Sequence, residues 1–217
     1  MEFFDTHCHL DFPDYAEDRD AVVDRALEAG VAGMVVVGTC LETSRLAIRL
    51  ADEYDEVHAA VGIHPNHCAD HDESVLDPLA EMATHEHVVA VGETGLDFYR
   101  DRTPRELQER FFRRHLRIAA DLGKPVILHS RDSGGALMDV IESVGADAIT
   151  GVFHCFTAGP EVLRRALGAG LRIGLSGIVT FPKGDNVRAV VPDIPDDALL
   201  LDSDAPFLAP APHRGQR

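Results

Sequence analysis

Six side chains able to bind a metal ion each stand where a short apolar run ends. His7 and His9 close Phe3-Phe4-Asp5-Thr6, Glu93 closes Val88-Val89-Ala90-Val91-Gly92, and His129 closes Val126-Ile127-Leu128. His154 follows Ile149-Thr150-Gly151-Val152-Phe153, and Asp204 follows Leu199-Leu200-Leu201-Asp202-Ser203. Imidazole and carboxylate donors together suit zinc, manganese, iron or cobalt, and magnesium less well. Such a set exceeds what one tetrahedral ion takes, which points to two ions with Glu93 as the bridge. Two ions about 3.5–4 Å apart can share a water, lower its pKa and stabilise both the attacking and the leaving oxygen. That chemistry is hydrolysis, of a phosphoester above all, with Asp204 as the expected general base for the water's proton.

These groups need a scaffold that brings them to one place. Side chains alternate along a strand, so His7 and His9 point the same way. Eight apolar runs, at 3–6, 33–37, 57–63, 88–92, 126–128, 149–153, 172–176 and 199–203, read as buried parallel strands. Helical spacings fill intervals between them at 18–29, 43–54, 104–122 and 160–169, with Leu107, Phe111, Ile118 and Leu122 on one side of the longest. The alternation predicts an α/β chain folded as a closed (β/α)8 TIM barrel, one domain over 1–217, whose catalytic groups gather at the carboxyl ends of the strands. Residues 205–217 carry Pro206, Pro210, Pro212 and Gly215 and read as a disordered loop, so the barrel is expected to lack its final helix. The outer faces of the first and last strands would then be exposed and invite association between molecules.

Composition narrows the setting. Nearly half of the chain (45%) is hydrophobic, enough for a real core, yet no stretch is long enough to span a bilayer and no signal peptide precedes the first strand. Cys8, Cys40, Cys68 and Cys155 form no close pair, which fits a reduced cytoplasm and thiols left unpaired. The formal net charge is −17, and of 20 cationic side chains only Lys124 and Lys183 are lysines. Long-range attraction to a nucleic-acid backbone is therefore absent, and an anionic substrate would have to be held by metal ions and a few local cations.

The fragments DTHCHLDF, GIHP, GETGLDFYRD, PVILHSRD, FHCF and LLLDSDAPFLAPAPHRG, taken in order, resemble the TatD family of metal-dependent deoxyribonucleases, within the amidohydrolase superfamily. The resemblance implies two divalent ions (Mg, Mn or Zn), one on His7, His9, Glu93 and Asp204 and the other on Glu93, His129 and His154. It implies cleavage of DNA, with 3′–5′ exonuclease activity at ends or single strands. Members of the family usually continue some forty residues past the PHRG segment. The family also has members that remove D-amino acids from tRNA, so an amidohydrolase or esterase using the same metal site is the competing enzymatic reading. A non-catalytic metal-binding scaffold is the third.

Other residues carry narrower expectations. His64, after the third strand, and Arg131, two past His129, face the same mouth and are candidates to contact a substrate phosphate. Asp202 and Asp5 each precede a ligand by two residues and are candidates to orient ligand histidines. Asp97, Tyr99 and Arg100 are expected to shape the rim, with His213 and Arg214 on the disordered end. His58, His67, His71, His85, His87 and His115 are expected at the surface.

Overall fold

Eight runs of strand-forming residues align side by side in the order in which they occur. In the computed structural model, which describes residues 2–146 and 149–216, they are β1 (Phe3–Cys8), β2 (Val31–Val37), β3 (Val57–Val61), β4 (Val88–Asp97), β5 (Val126–Arg131), β6 (Gly151–Phe153), β7 (Arg172–Leu175) and β8 (Leu199–Leu201). Every neighbouring pair is parallel, because a helical segment returns the chain to the same end each time. Those segments are α1 (Arg19–Glu28), α2 (Leu41–Glu53), α3 (Leu76–Met82), α4 (Arg105–Leu122), α5 (Gly134–Val144), α6 (Pro160–Gly168) and α7 (Asp185–Val190).

The sheet curls until its edges meet. Thr6 Oγ1 donates to the Leu201 carbonyl at 2.9 Å, and Ser203 donates from N and Oγ to the Asp5 carboxylate at 2.9 and 2.6 Å. The Cys8–Ala205 bridge completes the seam. The result is the expected TIM barrel.

Alternation along the strands divides the apolar residues into two sets. Val35, Val37, Ala60, Ala90, Ile127 and Val152, with Leu200 against them, form a small cluster inside the barrel. Met34, Val36, Ala59, Val61, Val91, Val126, Leu128 and Phe153 belong to the larger core beneath the helices. Of those helices, α4 contributes Phe111, Phe112, Leu116 and Ala119, all buried, and ends at Gly123 in the left-handed conformation that favours glycine.

Four details depart from the sequence reading. The helices α3, α5 and α7 were not among those expected. β4 runs on to Asp97 rather than stopping at Gly92. His115 is completely buried rather than on the surface, one turn beyond Phe111 on the apolar stripe of α4. The segment after β8 is fastened down: Ala211 N donates to Thr180 Oγ1 at 2.8 Å, and the Arg214 guanidinium lies 3.9 Å over the Phe181 ring. On the outer faces of β1 and β8, Phe4 and Leu201 are 43% and 48% exposed. All four cysteines are unpaired, and no helix among the described residues is long and apolar enough to cross a membrane.

Candidate metal centre

The inward parity of the strands continues past the apolar cluster into polar residues. Ile127 faces inward and so does His129, two residues on; Val152 leads in the same way to His154, and Leu200 to Asp202 and Asp204. On β1 the outward residue is Cys8, in the larger core, which leaves His7 and His9 on the inner face. β4 would put Glu93 on the wrong side of a regular strand, since Ala90 faces in. A register shift between Val91 and Thr94 turns it inward. Gly92 permits that turn: its φ is 155°, and a Cβ there would lie 2.6 Å from the Ile127 carbonyl oxygen.

The donors converge on Glu93, which is buried to 3%. Its Oε1 lies 2.7 Å from His129 Nδ1, 3.3 Å from His154 Nε2 and 3.7 Å from His64 Nε2. Its Oε2 lies 3.7 Å from His7 Nε2 and 4.0 Å from His9 Nε2. Asp204 Oδ1 stands 3.7 Å from His7 Nε2 and 3.5 Å from His9 Nε2. Among the described residues three groups have donor atoms near enough to share an ion: His7 with His9 and Asp204, His7 with Glu93 and His154, and His64 with Glu93 and His129. All six expected ligands therefore meet in one place. His64, expected only as a phosphate contact, joins them there.

The donor set fits a divalent cation. His9 Nδ1 lies 3.0 Å from the Val37 carbonyl and donates to it, which leaves Nε2 with its lone pair free. That lone pair points at His7 Nε2, 3.2 Å away, an arrangement that only a shared proton or a cation makes favourable. Electrostatics agrees. Burial and the neighbouring His154 push the His7 ring well below its ordinary pKa. Burial raises Glu93, but the nearby His64 and the hydrogen bonds from His129 and His154 outweigh it and hold the carboxylate well below the usual range. Burial lowers His129, yet hydrogen bonds to Asp97 and Glu93 lift it to about 9. His154 is raised for the same reason, by Glu93 against burial. His64, with burial and His129 acting together, falls to about 3. A buried carboxylate cluster that draws protons onto its histidines is a site asking for positive charge.

The chain bends sharply to aim two of these side chains. Asp204 has φ 53°, and Cys155, next to His154, has φ 45°, a region that non-glycine residues occupy at a cost of about 1 kcal/mol or more. The expected orienting carboxylates take different parts. Asp202 Oδ2 accepts from the Cys155 backbone at 2.9 Å and lies 4.0 Å from His154 Nδ1, so it braces the turn that presents His154. Gly174 makes room for it, since a Cβ there would collide with Asp202 Oδ2. Asp5 accepts from the His7 backbone at 3.2 Å, not from its ring, and ties β1 to the Ser203 turn before Asp204.

Three polar residues near the centre, two of them buried, escaped the sequence reading in whole or part. Asp97 was expected on the rim, but it is 2% exposed, with Oδ2 3.3 Å from His129 Nε2. Asn66 Nδ2 donates to that same oxygen at 2.9 Å. Asp11, also buried, stands 3.9 Å from His9 Nδ1. A signal existed for Asp97: Glu93, Gly95 and Asp97 alternate along one strand, so Asp97 falls on the ligand face once the strand is extended. The centre lies at the floor of a cleft of about 770 Å³. Arg100, Arg102 and Arg131 line one part of it, and Phe12 and Phe207 another.

The profile of the family described as TatD related DNase matches residues 4–217. The chain belongs to that family. Membership makes it a hydrolase of the metal-dependent type. Within the TatD-related family, it is 38% identical over 214 residues to the uncharacterized metal-dependent hydrolase YabD of Bacillus subtilis, covering 99% of this chain and 84% of that one. It is 39% identical over 209 residues to the 3′-5′ ssDNA/RNA exonuclease TatD of Escherichia coli, covering 95% of this chain and 80% of the relative. The crystal structure of YJJV, a TatD homolog from Escherichia coli, superposes with a TM-score of 0.92 at 34% identity, over 99% of this chain and 83% of that one.

Proposed function

We propose that this hydrolase is a 3′–5′ exonuclease of single-stranded DNA, working with two divalent ions, Mg, Mn or Zn. The observation that carries the proposal is the convergence of Glu93, Asp204 and five imidazoles at the floor of a cleft whose upper wall holds three arginines. A relative named as a 3′-5′ ssDNA/RNA exonuclease supports the same reading. His7, His9 and Asp204 would hold one ion and His129 and His154 the other, with Glu93 reaching both through its two oxygens. Bound ions of this kind supply an acidified water and neutralise charge on the phosphate oxygens.

The chain's own groups do the rest. Asp204 is the most accessible carboxylate of the set, its side chain 18% exposed, and accepts the proton of the attacking water. Arg131 holds a phosphate oxygen from above, and His64, kept neutral by burial and by His129, is free to donate a hydrogen bond there. The apolar cluster beneath the donors excludes water from the floor and strengthens every charge interaction above it.

Incubation of an end-labelled single strand with Mg²⁺, Mn²⁺ or EDTA, beside His154→Ala, tests the proposal. A ladder growing from the 3′ end, dependent on metal and lost in the variant, is the expected result. No cleavage by folded, metal-loaded protein would overturn it. The net charge of −17 favours a second reading, an esterase or amidohydrolase of a small molecule, because a long polyanion is repelled; a D-aminoacyl-tRNA deacylase would use the same metal site but meet the same repulsion. Salt separates the two for a small uncharged substrate: binding of a polyanion weakens steeply as salt rises, and that of a small neutral ester does not.

A further inference from the structure

The two walls of the cleft are unlike in charge, yet each exposes an aromatic ring. On one wall, Tyr99 follows β4 and is 55% exposed. The Arg131 guanidinium lies 3.8 Å from its ring centroid and that of Arg100 lies 5.2 Å from it. On the other wall, Phe12 stacks on His9 with centroids 4.7 Å apart. Phe207, 51% exposed, meets Phe12 edge to face at 5.7 Å. Both walls line the same cleft, with Glu93 and Asp204 between them.

Large rings held in water at an active site gain from a flat apolar partner. We propose that Tyr99 and the Phe12–Phe207 pair are two stacking platforms for unpaired nucleobases, one on each side of the bond to be cleaved. The proposal rests on the nuclease reading and names how that site selects its substrate. A duplex keeps its base faces stacked inside, whereas a single strand offers them. Stacking is also insensitive to salt and to net charge. It therefore supplies affinity that a chain of charge −17 cannot obtain from long-range attraction. Arg131 links the two kinds of contact: its guanidinium lies over the Tyr99 ring, and its N–H groups remain to meet a phosphate oxygen.

Two oligonucleotides of one length, one complete and one with abasic sites at its last two 3′ positions, distinguish stacking from phosphate contact. For the unaltered enzyme, KM for the abasic strand should be about 10-fold higher or more, with kcat little changed. Tyr99→Leu and Phe207→Leu should raise KM about 10-fold on the complete strand and scarcely further on the abasic one. Equal losses on both strands, or none, would overturn the platforms. Fluorescence of a cleavage-resistant phosphorothioate strand with 2-aminopurine at its 3′ end keeps this separate from the nuclease question. The metal-loaded protein should quench it, and the variant that lacks the platform under that base should not. Cleavage without quenching removes the platforms and leaves the nuclease standing. Quenching without cleavage removes the nuclease and leaves the platforms.

Discussion

Val35, Val37, Ala60, Ala90, Ile127, Val152 and Leu200 line the lower barrel; His7, His9, Glu93, His129, His154 and Asp204 line its upper mouth. Several members of the two sets are neighbours two residues apart on one strand, on one face. Backbone geometry hardly distinguishes them; side-chain type does. The lower set has no polar atom to satisfy and packs as a plug. The upper set, mostly withdrawn from water, is rich in polar atoms, and among the described residues His7 Nδ1, His154 Nδ1 and, beside them, Asp202 Oδ1 have no hydrogen-bond partner. One barrel thus holds a stabilising layer directly beneath a layer that is costly without a bound cation.

Substituting on each side of that boundary should separate the two roles. Glu93→Gln removes the carboxylate that all five imidazoles face. It should lower activity by roughly 10³-fold or more, and at neutral pH it should also lower the urea midpoint of the metal-free protein, because His129 and His154 lose the anion that raises their pKa. A variant with near-normal activity after repurification would show that the mouth does not work through Glu93. Ile127→Ala should spare the chemistry and touch stability alone. Its cavity should cost about 2–5 kcal/mol of stability, read by urea unfolding, with metal affinity nearly intact.

His115 tests the contrast from a third position, since it is a buried imidazole outside the barrel. Its Nδ1 donates to Phe111 O at 2.8 Å and its Nε2 accepts from Ile63 N at 3.0 Å, so it must be neutral to serve both. Burial lowers its pKa to about 4, below the ordinary value of 6.5. The unfolded chain therefore takes up this proton first. Stability is complete above pH 6.5 and is lost as pH falls towards 4, by up to about 3 kcal/mol from this group. Unfolding curves of metal-free protein at several pH values should show that slope, reduced in His115→Gln. An unchanged slope would rule out His115 as its source. The smallest effect is expected from Asp202→Asn, which loosens the turn behind His154: about 10–100-fold weaker metal binding, measured by competition with a chelating dye.

The strands and the six donors were legible in the sequence because both follow from alternation and from where apolar runs end. The less legible parts have physical reasons. α5 begins with Gly134-Gly135, poor helix formers, and α3 and α7 are short, so tertiary packing rather than propensity settles them. The register shift at Gly92 hid the true length of β4, and with it the burial of Asp97. His115 was misread by residue type, although Phe111, His115 and Ala119 share one spacing of four on the buried stripe. His64 was legible as a member of the mouth, but its approach to Glu93 depends on the loop after β3, which no periodicity describes.

The seam between β1 and β8 also sets an order in time. Ser203 and Asp5, whose hydrogen bonds hold that seam beside Asp204, are 198 residues apart in the chain. During synthesis His7 and His9 leave the ribosome well before Asp204, nearly two hundred residues further on. A nascent chain therefore carries a divided set of donors until the segment with Asp204 has emerged. Closure across so long a separation comes late in folding as well. The hydrolase would in this way stay inert while still tethered to its own message. Ribosome-arrested chains stopped before Leu199 should accordingly show no metal-dependent activity, whereas release of the finished chain should restore it.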